Sequence, residues 1–210
     1  MKVRRKKLLL VLGVTFLLGG SMVACKEKIE ATPTETAQIT LDFILKGDKA
    51  KVSKVGITDE DIKKFNEAYD KEFKSSFSNE VSKGGVNVNK EEVDKLNDSF
   101  KKALAKVEYT VKDEKITDKT AEVNIEFTQL NMEKVLAETE KVYLEKATTN
   151  PPKTEEEGMN MFMSLYADEI AKAPLATKKV TKTLEFKQNS KYWEITNADK
   201  ILADAIDMAN

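Results

Sequence analysis

Residues 107–127 read VEYTVKDEKITDKTAEVNIEF, and their pattern decides the fold class. Val107, Tyr109 and Val111 alternate with Glu108, Thr110 and Lys112; Ala121, Val123, Ile125 and Phe127 alternate with Glu122, Asn124 and Glu126. A period of two suits a strand packed on one face and wet on the other. Turn formers around Thr117 to Lys119 join the two runs as a hairpin. A second pair follows, in which Val180, Leu184 and Phe186 share one side, Asn189-Ser190 turns the chain, and Trp193 with Ile195 return. The pattern predicts an α+β fold: a four-stranded antiparallel sheet of two hairpins packed against several amphipathic helices.

Working outward, periods of three and four residues mark those helices. Ala37, Leu41, Ile44 and Leu45 form one face that Gly47 closes, and a brief helical stretch is expected over 49–55. Thr58 with Asp61 starts a long helix carrying Ile62, Phe65, Tyr69, Phe73 and Phe77, ending before Gly84-Gly85. Asn89 with Glu92 opens a helix bearing Val93, Leu96, Phe100 and Leu104. Asn131 caps one with Val135, Leu136, Val142 and Tyr143, which Asn150-Pro151-Pro152 ends. Thr154 with Glu157 opens another through Phe162, Leu165, Tyr166 and Ile170, stopping at Pro174. Asn197 is expected to cap a terminal helix with Ile201, Leu202 and Ala205. The order of capped helix, hairpin and Asn-capped helix thus occurs twice, at 89–147 and 154–209, which suggests sub-units 36–149 and 153–210 within one domain over 36–210.

The chain has 35 Lys plus Arg, 36 Asp plus Glu, one Cys and no His. Without histidine, His-dependent triads and imidazole metal sites are excluded, and a single cysteine excludes an intrachain disulfide. Neither a P-loop nor G-x-S-x-G or G-x-G-x-x-G is present, so the expectation is a non-enzymatic protein without cofactor or metal.

Lys2, Arg4, Arg5, Lys6 and Lys7 precede the apolar run Leu8 to Leu18, then Gly19, Gly20 and Ser21. This is the plan of an export signal. The eleven apolar residues span about 16 Å as a helix, roughly half a hydrocarbon core. Met22-Val23-Ala24-Cys25 follows and resembles the lipobox of bacterial lipoproteins, although Met22 stands where Leu is usual. The resemblance implies cleavage between Ala24 and Cys25, leaving 1–24 as signal peptide, Cys25 joined to a diacylglycerol with palmitate-like chains, and 25–35 as a tether. The competing readings are an uncleaved anchor running to Ala24 and an ordinary secretory signal followed by an exposed thiol. Losing residues 1–24 removes five basic side chains and no acid, a balance that argues against nucleic acid as a partner.

Other residues invite functional readings. Asp59, Glu60 and Asp61, like Glu155, Glu156 and Glu157, read as acidic first turns of helices in preference to cation sites. Ser99 and Lys102 match S-x-x-K but fall mid-helix, where a solvated surface is expected. Lys178, Lys179 and Lys182 read as protection of a strand edge, with headgroup contact as the alternative. Met159, Met161, Phe162, Met163 and Tyr166 form a Met-rich face whose first role is filling core gaps. If a ligand pocket exists, Met159, Phe162, Tyr166, Tyr109, Phe127, Phe186 and Trp193 are its expected lining.

By element order the domain resembles the nuclear-transport-factor and cystatin-like cones of small exported lipoproteins. The whole chain looks like a Gram-positive surface lipoprotein carrying a domain of unknown function. That resemblance implies an extracytoplasmic protein held in the cell membrane by its lipid, binding a small molecule, a peptide or an envelope protein. An interaction module without a pocket, a carboxylate-dependent enzyme and a signal fragment over 17–24 acting as a peptide message are the alternatives.

Overall fold

The hairpin forms as its pattern requires. In a computed structural model that describes residues 29–82, 88–198, 200–201 and 205–207, β1 (Glu108–Thr117) and β2 (Thr120–Asn131) pair antiparallel across Asp118-Lys119. Asp118 takes φ 52°, a left-handed conformation that aspartate tolerates better than most residues. The sheet order is β1-β2-β3-β4, with β3 at Leu175–Asn189 and β4 at Tyr192–Ile195. A two-residue strand, β5 (Ile206–Asp207), adds in parallel to Leu130 and Asn131.

Tyr109 lies opposite Phe127 and Val111 opposite Ile125, so these side chains share the packed face. Between Val111 and Glu114 the register slips at a bulge, after which Glu114 faces Val123 and Ile116 faces Ala121. The slip brings Glu114 onto the helix-covered side. There its carboxylate accepts from the Thr34 hydroxyl at 2.6 Å and the Thr34 N–H at 3.0 Å, a favourable charge beside a helix N-terminus.

That helix, α1 (Pro33–Lys46), starts within the stretch expected as a tether, 25–35, and Ala31 is already buried. The cause is local: Thr32 and Glu35 cap each other reciprocally, and Pro33 supplies a φ suited to the first turn. Helix α2 (Asp59–Ser82) uses the expected Thr58 and Asp61 box, with both reciprocal bonds present at 2.9 and 3.2 Å. Helix α3 (Lys90–Leu104) departs from expectation, because Asn89 gives no side-chain cap; its N–H donates instead to Asn160 Oδ1 at 3.1 Å. Asn131 caps α4 (Met132–Thr149) as read; Thr154 caps α5 (Glu155–Ala171), but the Glu157 carboxylate accepts from the Lys153 N–H at 2.7 Å and not from Thr154, so the expected reciprocal box is only half formed. Among the described residues no helix is long and apolar enough to cross a membrane, and residues 1–28, with Cys25 and the stretch expected to be a signal, lie outside them.

At the C-terminus the structure corrects the role expected of the Asn197 side chain. The backbone is helical at 200–201, Ile201 and Ala205 are buried, and β5 follows at Ile206–Asp207, while Leu202 lies outside the described residues. The Asn197 side chain serves the sheet: its Oδ1 accepts from Glu185 N–H at 3.0 Å and its Nδ2 donates to the Thr183 carbonyl at 3.1 Å. An amide side chain thereby continues the ladder on β3 where β4 has stopped.

One core unites both sequence halves, from Ala37, Leu41, Phe73, Phe77 and Leu96 through Ile125 and Phe127 to Leu184, Phe186 and Ile201. The long β2–β3 ladder joins them covalently distant but side by side. A second, smaller cluster lies across α1: Ile39 and Phe43 pack with Val52, Val55, Ile57 and Ile62. Helix α1 is therefore buried on two sides, and the turn of 3₁₀ helix at Val52–Val55 closes the outer one.

That turn ends at Gly56, with φ 81°. A Cβ there would lie 2.8 Å from Tyr192 Cδ2. Replacing Gly56 with Ala is expected to cost about 1–2 kcal/mol for the left-handed backbone alone, plus displacement of the Tyr192 ring. A lowered urea midpoint without a changed slope checks this, and a Gly56→Ala protein as stable as the parent would refute it.

Candidate functional site: a polar groove on the sheet

The aromatic and Met residues of the expected pocket lie mostly within the core. Phe127, Phe186 and Trp193 are buried, as is Met163. Tyr166 is buried too, and its hydroxyl is pushed up to about 12 by desolvation. Phe162 sits between Tyr143 and Tyr166 with ring centroids 5.7 and 6.1 Å away, and it and Met159 are half-buried against the same core. The set is not gathered around one void: Tyr109 alone of the seven borders the described cavity, its ring 6.2 Å from Phe127.

That cavity, about 380 Å³, opens where the end of α3 enters β1. Its walls are Ala105 to Thr110, Lys46 from the end of α1, Glu126 and Thr128 of β2, and Lys179 of β3. Each wall has a local cause. After α3 the backbone makes one more turn, with Lys106 N–H on Ala103 O and Val107 N–H on Leu104 O, and Val107 then plugs into the core. Lys106 is left on the rim, where its Nζ donates to the carbonyl of Ala171 at 2.6 Å, a cation against the negative end of α5. Tyr109 is fixed by Gln38, whose Nε2 donates to the phenol oxygen at 2.7 Å while the phenol donates to the Gln38 carbonyl at 3.1 Å. Lys46 lies 4.9 Å over its ring and pairs with Asp42.

The floor is the wet face of the sheet. Glu126 lies opposite Thr110 on one side and Thr181 on the other, and its Oε1 is 3.1 Å from Lys179 Nζ and 3.3 Å from Lys112 Nζ. The Lys179 hydrogen bond is the largest influence on this carboxyl and, with Lys112, holds it below the ordinary 4.5 despite an opposing effect of burial. Burial, and then the neighbouring Asp42, push the Tyr109 hydroxyl well above its usual range. The groove thus presents a carboxyl held below its ordinary value, lysine side chains, two threonine hydroxyls and a phenol held above its own. Such an array binds charged and hydrogen-bonding groups; neither Glu126 nor Tyr109 has the near-neutral pKa that general acid–base work favours.

A pH dependence follows from the lowered carboxyl. Glu126 binds a proton more weakly folded than unfolded, so its stabilising effect is complete above about 4.5 and disappears as pH falls through the lower folded value. The Glu126→Gln variant is therefore expected to lose less stability than the parent between about pH 6 and about pH 3, as urea midpoints would report. Parallel curves for the two proteins would contradict the assignment.

The other flagged residues have plain structural places. Ser99 is buried in the α3 face and Lys102 is exposed, so only the lysine occupies the solvated surface expected of the pair. Asp59, Glu60 and Asp61 form the first turn of α2, and Glu155 to Glu157 that of α5. Among the described residues no group of acidic or cysteine side chains could hold a metal. Lys178 and Lys182 lie on the stretch of β3 that β4 does not cover, consistent with edge protection. Lys179 belongs to the groove, a role its position beside another lysine did not reveal.

The sequence model of a family described as Domain of unknown function (DUF5105) matches residues 22–206. No curated protein matches the chain. Among solved structures, the fold resembles that of ycdA from Bacillus subtilis, described as a candidate lipoprotein, with TM-score 0.66 and 19% identity. The similarity covers 82% of this chain and 55% of that one, so this chain spans little more than half the length of its structural neighbour.

Proposed function

This chain belongs to the DUF5105 family, and we propose that it is a lipid-anchored, extracytoplasmic, non-enzymatic domain that presents the polar groove and wet sheet face to a protein partner in the cell envelope. The observation that carries the binding reading is the groove floor, where two lysines from different strands converge on one carboxylate between rows of threonine. Enclosed apolar cavities favour small ligands, whereas an open, charged surface with side chains already paired in place favours a protein surface of complementary charge. The protonation states of Glu126 and Tyr109 support binding over catalysis.

Anchoring is supported by the lipobox-like Met22 to Cys25 and by the family match, which begins at Met22 and so includes Cys25 while leaving out the basic and apolar leader. The description of ycdA as a candidate lipoprotein is in keeping with this reading.

A photoreactive residue placed at Thr181, which is exposed beside Glu126, tests the partner surface in living cells. The same residue at Lys63, on the outer face of α2, is the control. The expected result is a discrete protein adduct from Thr181 that drops about tenfold when Lys179→Glu reverses the groove charge. Equal adducts from both positions, or an adduct indifferent to Lys179→Glu, would overturn the proposal.

A further inference from the structure

The side chain of Asn197 fixes which backbone groups of β3 face outward. Its Oδ1 accepts from the Glu185 N–H at 3.0 Å and its Nδ2 donates to the Thr183 carbonyl at 3.1 Å, while the Thr196 N–H donates to the Glu185 carbonyl at 2.8 Å. Backbone direction alternates along a strand, so the N–H and C=O groups of Thr183, Thr181 and Lys179 point the same way as those of Glu185, away from β2. Gln188 has the opposite parity: its N–H turns to the β2 side and donates to the Lys119 carbonyl at 2.8 Å.

No described residue pairs with the outward N–H and C=O of Lys179 and Thr181 or with the N–H of Thr183. Strand β4 ends at Ile195, opposite Phe186, and Asn197 supplies one rung more. An open edge remains over residues 179–183, about 17 Å long, and Lys179, Thr181 and Thr183 are exposed along it. The other outer edge of the sheet offers no equivalent, because β1 is interrupted by its bulge between Val111 and Glu114. A row of aligned, unpaired donors and acceptors is a template for one more strand.

Charge selects the strand. Lys178 is exposed and pairs with no carboxylate among the described residues. Lys179 and Lys112 share the single carboxylate of Glu126, and Lys182 is already engaged. The other acid in this part of the sheet, Glu108, lies two strands from Lys179 in the row Glu108, Thr128, Lys179, a distance of about 10 Å. The lower end of the open edge is therefore basic. Its upper end is acidic, because Glu185 faces Glu122, and Glu194 stands nearby, against Lys115 and Lys187. A second copy of the chain does not fit here in the same way, since its own fifteen-residue β3 overruns the opening and meets Asn197 and β4.

We propose that the protein partner of the groove supplies an extended segment that adds as a strand to β3 along residues 179–183, with an acidic side chain set against Lys178 and Lys179. The proposal rests on the protein-partner reading and deepens it from a surface to a mode of binding. Lys179 belongs to both the open edge and the groove wall, so the added strand leads directly onto the array around Glu126. Main-chain bonds supply affinity with little regard to side chain, and the charge gradient along the edge gives the segment its chemical character and its direction.

The test keeps the full chain in living cells, with the photoreactive residue at Thr181. Thr183→Pro removes the outward N–H and no bond to β2, whereas Thr183→Ala removes the same side chain, with its 2.8 Å bond to Asn124, and keeps the N–H. The adduct is expected to persist in Thr183→Ala and to fall about fivefold or more in Thr183→Pro. Urea midpoints of the two purified variants show whether proline has harmed the fold. Hydrogen exchange in the purified adduct needs no proline: the N–H groups of Thr181 and Thr183 are expected to exchange about tenfold slower or more than in the free protein. Those of Val180 and Lys182, bonded to β2 in both states, are expected to stay as they were. Lys178→Glu is expected to lower the adduct about threefold or more, and the attached segment to carry an acidic residue. Equal adducts from Thr183→Ala and Thr183→Pro with unchanged exchange at Thr181 and Thr183 would overturn strand addition while leaving the partner surface standing. An adduct indifferent to Lys178→Glu would overturn the acidic segment, and an attached segment from a second copy of this chain would overturn the choice of occupant. Absence of any adduct from Thr181 would overturn the protein-partner reading itself.

Discussion

Phe73→Ala is expected to lower the stability of the domain by about 3–5 kcal/mol, the range for removing a buried aromatic ring. Phe73 is fully buried at the centre of an aromatic row in which Tyr69, Phe77 and Phe100 have ring centroids 6.2, 6.3 and 5.5 Å away. The row is the seam between α2 and α3, and neither helix can shift to fill a lost ring without disturbing the other. A loss of that size is a large part of the roughly 5–15 kcal/mol that holds a domain folded. It corresponds to a melting point lower by about 6–20 °C for a chain of this length. Leu144→Ser, at a side chain 65% exposed on α4, is the matched control and is expected to change stability by less than about 0.5 kcal/mol. Similar losses from the two variants would mean that the α2–α3 seam is not the core that the burial describes.

Cys25→Ala is expected to abolish incorporation of labelled palmitate completely, since the chain has one thiol. Two acyl chains at about 0.8 kcal/mol per buried methylene hold a protein on a bilayer where a single chain does so only marginally. With the thiol gone, the signal is expected to remain attached and the electrophoretic mobility to shift to that of the uncleaved chain. Cys25→Ala protein that still carried acyl label would place the lipid elsewhere and undo the anchor reading.

The fold class was legible because the strands are wet on one side, which imprints a period of two between Val107 and Phe127. Even the bulge is implicit there. A two-residue turn at Asp118-Lys119 sets Thr117 opposite Thr120 and would put Val111 opposite Glu126, yet the apolar pattern needs Val111 opposite Ile125. One extra residue in β1 is the only way to satisfy both, and it sits at Lys112-Asp113. Asn197 shows where local reading fails: the same residue type whose side chain caps α4 at Asn131 here turns its amide onto the backbone of β3, and only the presence of β3 alongside decides which. The second buried side of α1 escaped for a similar reason, since Ile39 and Phe43 acquire their partners from a segment that shows no periodicity of its own.

The groove was not legible at all. Lys112, Glu126 and Lys179 are ordinary wet-face residues in their own strands, and their convergence depends on a three-strand register. The aromatic and Met residues were conspicuous in composition because a core needs them. Their abundance recorded packing, and the polar groove carries little compositional trace.

The measurement that bears most directly on the central claim is the intact mass of the protein extracted with mild detergent from the envelope of its own host. The account predicts a polypeptide that begins at Cys25 and carries the added mass of a diacylglycerol. A mass that includes residues 1–24, or one that begins at Cys25 with its thiol unmodified, would contradict it.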